Sequence, residues 1–233
     1  MIEVVFFDLF ETLVTMFDPR SSPGPSVAER LRLDPHAFET EWRTRRSARY
    51  TGAFPDYRDA LRSVCDALGH PPDGEVIQQL YEERLALFAG ACLRTSPEVI
   101  ELLTHLANLG MRVRVISNSV PEFIVAWPQS PILPLVQDVV FSHDVGFAKP
   151  QPEIYLLACR RAGVGPQRAI FVGDGDNNEL AGAEHVGMRA YWATWFLDRW
   201  PQHARTGSFY ETVARFPRLR RPADLVRRWP PSS

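Results

Sequence analysis

Short apolar runs alternate with amphipathic stretches along most of the chain, a pattern that predicts a parallel sheet wrapped by helices. The runs are Val4 to Phe7, then Val113, Val115 and Ile116, then Val139 to Phe141, Ala169 to Val172, and Ala190 to Ala193. A helix with clear punctuation precedes the second run. Ser96 stands at its N-cap, Pro97 at its first helical position and Gly110 at its stop, with Val99, Leu102, Leu103 and Leu106 on one face. Further helices are expected from about Pro152 to Ala162, stopped by Gly163, and through Leu180, Ala183 and Val186, ended by Gly187.

Residues 15–95 break this rhythm. They hold no β-branched runs and read as helices separated by proline-rich joints at Pro19 to Pro25, Pro55 and Pro71-Pro72. The best of these helices places Tyr57, Ala60, Leu61, Val64, Cys65 and Leu68 on one face, with Gly69 after it. The expected organisation is therefore a core of residues 1–14 and 96–233 with a helical module of residues 15–95 inserted in it. Beyond Trp195 the pattern weakens. Trp195, Phe196 and Trp200 are expected to cover a sheet edge, Ala223 to Trp229 to form a last helix, and Pro230 to Ser233 to fray.

Composition narrows the function classes. The chain has 233 residues, 45% hydrophobic and 23% charged, with a net charge of −2 and pI near 6.3. That balance disfavours nucleic acid and anionic membranes as partners, although arginines cluster at 43–49 and 218–228. No apolar stretch approaches the ~18 residues of a membrane span. Three widely spaced cysteines without a CxxC pair read as buried apolar residues of a reducing compartment, so a cytoplasmic location is expected. Of 26 basic residues only Lys149 is lysine. In so arginine-biased a chain, position 149 reads as one that needs a compact ammonium which a planar guanidinium cannot replace.

In an open parallel sheet, ligands bind beyond the carboxyl ends of the strands. The first run ends at Asp8, the second at Ser117 and Asn118, the third leads towards Lys149, and the fourth ends at Asp174. Acids gathered at one crevice repel unless a cation joins them. The physical reading is metal-assisted attack on an anionic substrate, with Asp8 and Asp174 sharing Mg²⁺. Asp8 would be the nucleophile, Lys149 would neutralise the reacting groups, and Ser117 would donate a hydrogen bond. Two other readings of GDGDNNE at 173–179 fail. It lacks the third glycine of a dinucleotide loop, and as a calcium loop it has Glu179 where glycine and His185 where glutamate is needed.

The segments DLFETL at 8–13, VISN at 115–118, AKP at 148–150 and FVGDGDNNELAGA at 171–183 resemble, in order and spacing, the four motifs of the haloacid dehalogenase superfamily. The likeness runs to about residue 193 and implies an α/β fold: a Rossmann-like parallel sheet with helices on both faces, plus an inserted all-helical cap. It also implies that Asp8 is the nucleophile and that Ser117 and Lys149 bind the transferred group. The metal ligands it implies are Asp8, Asp174 and the Phe10 carbonyl, with Glu179 acting on metal-bound water.

One position departs from the phosphatases of that superfamily, which usually carry a second aspartate two residues after the nucleophile. Here it is Phe10, which cannot move a proton, and general acid–base help is worth about 10²–10⁴-fold. An aromatic there, Asn118, and the Trp42-Arg43 pair are instead similar to features of the 2-haloacid dehalogenase branch, with Arg43 as a halide-gripping residue. Against that, the branch has a serine where Asp174 stands and needs no metal. The leading expectation is a magnesium-dependent phosphatase of a small phosphorylated metabolite. The alternatives are a 2-haloacid dehalogenase-like hydrolase and a catalytically weakened binding protein. A small anionic substrate and a monomer or homodimer complete the expectations.

Overall fold

The computed structural model describes residues 2–18, 24–200 and 212–227. Among these residues six strands form one sheet: β1 (Val4–Phe7), β2 (Arg112–Ser117), β3 (Asp138–Phe141), β4 (Ala169–Gly173), β5 (Arg189–Ala193) and β6 (Arg218–Leu219). Their order is β3-β2-β1-β4-β5-β6 and every pairing is parallel. The first five match the apolar runs of the sequence. β6 has only two residues and no apolar run to announce it. It attaches through Trp192 N–H to Pro217 O at 3.0 Å and Thr194 N–H to Leu219 O at 2.9 Å.

Alternate residues of β1 serve opposite faces, as the pleat requires. Val5 and Phe7 join a core with Val99, Leu102, Leu103 and Leu106 of helix α6 (Pro97–Asn108). Val4 and Phe6 join a second core with Ile154, Tyr155 and Ala158 of α8 (Pro152–Ala162), and with Leu180 and Ala183 of α9 (Glu179–His185). Both faces of β1 are buried, hence its unbroken apolar run. Punctuation behaves as read, with one difference. Ser96 takes the extended N-cap backbone of α6 but its side chain makes no capping bond.

Between β1 and α6 the described residues form five helices: α1 (Val27–Arg30), α2 (Pro35–Thr44), α3 (Arg46–Tyr50), α4 (Tyr57–Ala67) and α5 (Gly74–Leu93). Phe38 of α2, Tyr57, Leu61, Val64 and Cys65 from the predicted face of α4, and Ile77 and Leu80 of α5 share a buried cluster of their own. Leu68 is the C-cap residue of α4 and only partly buried. The 20-residue α5 also reaches the sheet region at its far end. There Phe88 packs on Val120 and Phe123, and Ser130 Oγ donates to Cys92 O at 3.0 Å. Cys65, Cys92 and Cys159 are free and buried.

The aromatics after β5 do something other than cover an edge. Trp195 and Phe196 are buried in the core of the α6 face. The indole of Trp195 donates to Thr12 O at 2.8 Å, and that of Trp200 to Glu11 Oε2 at 2.9 Å. Both therefore brace the turn that follows β1, while β6 pairs the edge. The last described helix, α10, covers Ala223–Arg227. Trp229, the segment Pro230 to Ser233 and part of the Pro19 to Pro25 joint lie outside the described residues.

α9 approaches the loop before α8 closely at Gly182. A methyl group there would stand 2.8 Å from Pro150 O and 2.8 Å from Tyr155 Oη. Tyr155 Oη donates to Glu179 O at 2.8 Å, so this contact fixes the start of α9. Gly182→Ala, although helix-favouring in isolation, is expected to destabilise the chain by about 1–3 kcal/mol through overpacking. Urea unfolding with a lowered midpoint and an unchanged slope is the expected readout.

Candidate active site

The carboxyl ends of β1, β2 and β4 and the loop entering α8 place the chemistry-bearing residues together. Asp8 follows β1 directly, its N–H bonded to Val172 O of β4 at 2.9 Å. The chain then turns tightly: Leu13 and Val14 N–H both reach Leu9 O, and Glu11 adopts a left-handed φ of 56°. Glu11 holds that turn from inside. Its carboxylate accepts from Thr15 Oγ1 at 2.7 Å, Met16 N–H at 2.9 Å and the Trp200 indole. Burial pushes its pKa up while those bonds pull it down.

After β4, Asp174 enters a loop in which Asn177 and Asn178 both have φ of 55°. Asparagine tolerates that left-handed backbone better than most residues, which accounts for the Asn-Asn pair before α9. The turn brings Glu179 back so that its Oε1 accepts from Gly175 N–H at 3.0 Å. Gly173 is required here as well, since a Cβ would lie 2.0 Å from that same oxygen.

Lys149 is fully buried among these acids. Its Nζ donates to Asp8 Oδ1 and, at 2.5 Å, to Glu179 Oε2. The backbone of Lys149 is held in turn by Asn118: Lys149 N–H donates to Asn118 Oδ1 at 2.7 Å, and Asn118 Nδ2 donates to Lys149 O at 2.9 Å. The bond from Lys149 to Pro150 is cis.

Carboxylate oxygens of Asp8, Asp174 and Glu179 all lie within 4.8 Å of one another, and all three residues are buried. Desolvation, then mutual repulsion, drives Asp174 well above its ordinary value. Burial and Asp8 raise Glu179 from 4.5 to about 7 against the pull of Lys149. Burial raises Asp8 too. A lone ammonium thus leaves an excess of negative charge in a desolvated cluster of hard oxygen donors, which fits a divalent cation such as Mg²⁺.

A cavity of about 160 Å³ opens onto this cluster. Its wall includes Asp8, Phe10, Asn118, Lys149, Asp174 and Glu179, six of the eight residues the sequence proposes. Ser117 is buried at the end of β2, its hydroxyl without a hydrogen-bond partner among the described residues. Arg43 is not brought to the cavity. It is 76% exposed on α2 and pairs with Glu39 one turn back, at 2.6 Å. Asn118 has a task the sequence did not reveal, since its amide orients the lysine. Met16, Phe88, Phe123 and Asn177 also line the cavity and were not anticipated. Their signal is weak, because apolar residues in a helix or turn read as core.

Phe10 lines the cavity but also packs edge-on against Phe88 and Phe123, at centroid distances of 5.2 and 5.4 Å. The side chain at the position of the usual second aspartate is thus part of an aromatic cluster shared with α5.

A carboxyl with a raised folded pKa keeps its proton longer in the folded chain than in the unfolded one. Its stabilising contribution is complete below the unfolded pKa and is lost as pH rises through the folded one. For Glu179 that window runs from 4.5 to about 7, and Asp174 shifts in the same direction. In the presence of a chelator, Asp174→Asn is therefore expected to stabilise the protein by about 1 kcal/mol at pH 8, an advantage that shrinks towards pH 5. Thermal unfolding of both proteins across that range checks it.

The model of haloacid dehalogenase-like hydrolases matches residues 2–187. A glyceraldehyde 3-phosphate phosphatase of Pyrococcus abyssi is 29% identical over 201 residues, covering 82% of this chain and 81% of that protein. A protein of the same description from Methanopyrus kandleri is 32% identical over a stretch covering 42% of this chain and 42% of its own. Among solved structures, an L-2-haloacid dehalogenase superposes with a TM-score of 0.54 at 27% identity, covering 82% of this chain and 86% of that one. With the motif residues at one sheet edge and the family match running through most of the chain, this protein belongs to the haloacid dehalogenase-like hydrolases.

Proposed function

We propose that this hydrolase is a magnesium-dependent phosphatase of small phosphorylated metabolites, with residues 15–95 serving as its cap. The observation that carries the reading is the trio of Asp8, Asp174 and Glu179 crowded around Lys149. Relatives described as phosphatases support it. Asp8, Asp174 and the Phe10 carbonyl would hold Mg²⁺, with Glu179 beside them. The metal would supply charge neutralisation for a phosphoryl group and for the acids that face it.

Asp8 attacks phosphorus, an aspartyl–phosphate bond forms and the bond to the ester oxygen breaks. Lys149 holds Asp8 in place and balances its charge, and the Ser117 hydroxyl, without a partner among the described residues, is available to a phosphoryl oxygen. Water then attacks phosphorus, releasing inorganic phosphate and regenerating the Asp8 carboxylate. The departing oxygen takes its proton from water, because Phe10 has none to give and both Glu11 oxygens already accept hydrogen bonds. Esters with good leaving groups should therefore be turned over fastest.

A 2-haloacid suits this cavity less well. Five carboxylates line it against one lysine, and Arg43 points elsewhere. Release of p-nitrophenol from p-nitrophenyl phosphate, with and without Mg²⁺, tests the reading because this leaving group needs no general acid. Turnover that requires Mg²⁺ and disappears in Asp8→Asn is expected. Halide release from 2-chloropropionate without phosphatase activity would overturn the reading, and silence in both assays would favour a binding role.

Lys149 has no slack, being wedged between two carboxylates. Lys149→Arg keeps the charge but brings a bulkier, forked group, and should lower kcat by about 10²-fold or more. Single-turnover kinetics on the same ester, with circular dichroism as the check on folding, measures it.

A further inference from the structure

The apolar part of the cavity lining is made of rings and a thioether: Phe10, Met16, Tyr50, Phe88 and Phe123. These rings are not free to retreat. Phe88 and Phe123 stack at 3.8 Å between centroids, and Phe10 meets both edge-on. Tyr50 packs against the same cluster.

The arginines of the inserted helices that could meet a second anionic part of a substrate are otherwise engaged. Arg43 pairs with Glu39 at the surface. Arg49 is buried under Trp42, its guanidinium 3.7 Å from the ring centroid, and lines a separate, smaller cavity. Arg84 bonds Glu122 at 3.0 Å and lies over the rings of Tyr57, Phe88 and Phe123. Arg46 faces Asp176 at 3.9 Å, and Asp176 itself lines the cavity. Among the described residues lining the cavity, Lys149 is the sole cation, and Asp8 and Glu179 occupy it.

A phosphoryl group has the lysine, the metal site and the Ser117 hydroxyl. A second anionic group on the same molecule meets aromatic faces, the Met16 thioether, the carboxylates of Glu11 and Asp176, and two amides already engaged, that of Asn118 by the Lys149 backbone and that of Asn177 by Asp176. From this juxtaposition we propose that the cavity selects phosphomonoesters whose leaving group is compact and uncharged and rejects those carrying a second anion, with Tyr50, Phe88 and Phe123 as the selecting wall. The inference rests on the phosphatase reading and narrows it to a substrate class. About 160 Å³ is small beside the ~300–1,000 Å³ of pockets for drug-sized ligands, which favours small esters.

Two triose esters of nearly the same shape isolate the charge: glyceraldehyde 3-phosphate ends in an uncharged aldehyde, 3-phosphoglycerate in a carboxylate. With Mg²⁺ and phosphate release as the readout, kcat/KM for the aldehyde should exceed that for the acid by at least about tenfold, since like-charge contacts discriminate strongly. Tyr50→Arg should shrink the ratio by raising the value for the acid, whereas Tyr50→Phe should preserve it. Equal or better turnover of the acid by the natural protein would overturn the inference while leaving a phosphatase. So would hydrolysis of p-nitrophenyl phosphate with neither triose ester turned over. If p-nitrophenyl phosphate is also untouched, the phosphatase reading itself fails and the inference goes with it.

Discussion

An ammonium group in a protein interior is strongly unfavourable unless it is paired, and a buried carboxylate without a counter-charge is equally so. Here the two problems are solved against each other. Lys149 sits between Asp8 and Glu179, so residues 141 and 30 positions away along the chain are held at one point. Much of the surrounding architecture serves that point. Asn118 clasps the backbone of the lysine, the Asn177–Asn178 turn returns Glu179 to it, and Gly173 leaves room for the glutamate side chain. The balance is incomplete, because Asp174 has no cationic partner among the described residues. That residual charge makes the site receptive to a hard cation, and it is kept at the expense of stability, as functional sites commonly are.

The wall opposite is governed by the hydrophobic effect. Phe10, Phe88 and Phe123 come from the turn after β1, the far end of α5 and the loop after β2, and they meet because each buries ring surface against the others. The residue next but one to Asp8 is thus devoted to packing where relatives with a second aspartate would place proton transfer. The site has a polar floor able to stabilise developing charge and an aromatic wall that offers none.

Much of this was legible in the residues themselves. Five strands announced themselves as apolar runs because central parallel strands are buried on both faces, and the ends of those runs named Asp8, Ser117 and Asp174. The lone lysine was visible by count. What the sequence did not disclose came from tertiary contacts without local pattern. β6 is too short to carry a run, and it attaches through the backbone N–H groups of Trp192 and Thr194, which donate to Pro217 O and Leu219 O. Arg43 beside Trp42 looked like a ligand-gripping pair, but a glutamate one helical turn earlier claims the guanidinium. The tryptophans after β5 read as edge cover because their apolar area was evident and their indole donors were not.

Those indoles have a temporal implication. Asp8 leaves the ribosome long before Trp195 and Trp200 exist, yet the turn that aims it is tied down by hydrogen bonds from both. A nascent chain that already contains every acid, the lysine and the whole helical insertion still lacks the two struts that fix the nucleophile's turn. Competence for chemistry should therefore arrive late in synthesis, and a product truncated before residue 195 would carry the motifs of a hydrolase without its ordered nucleophile.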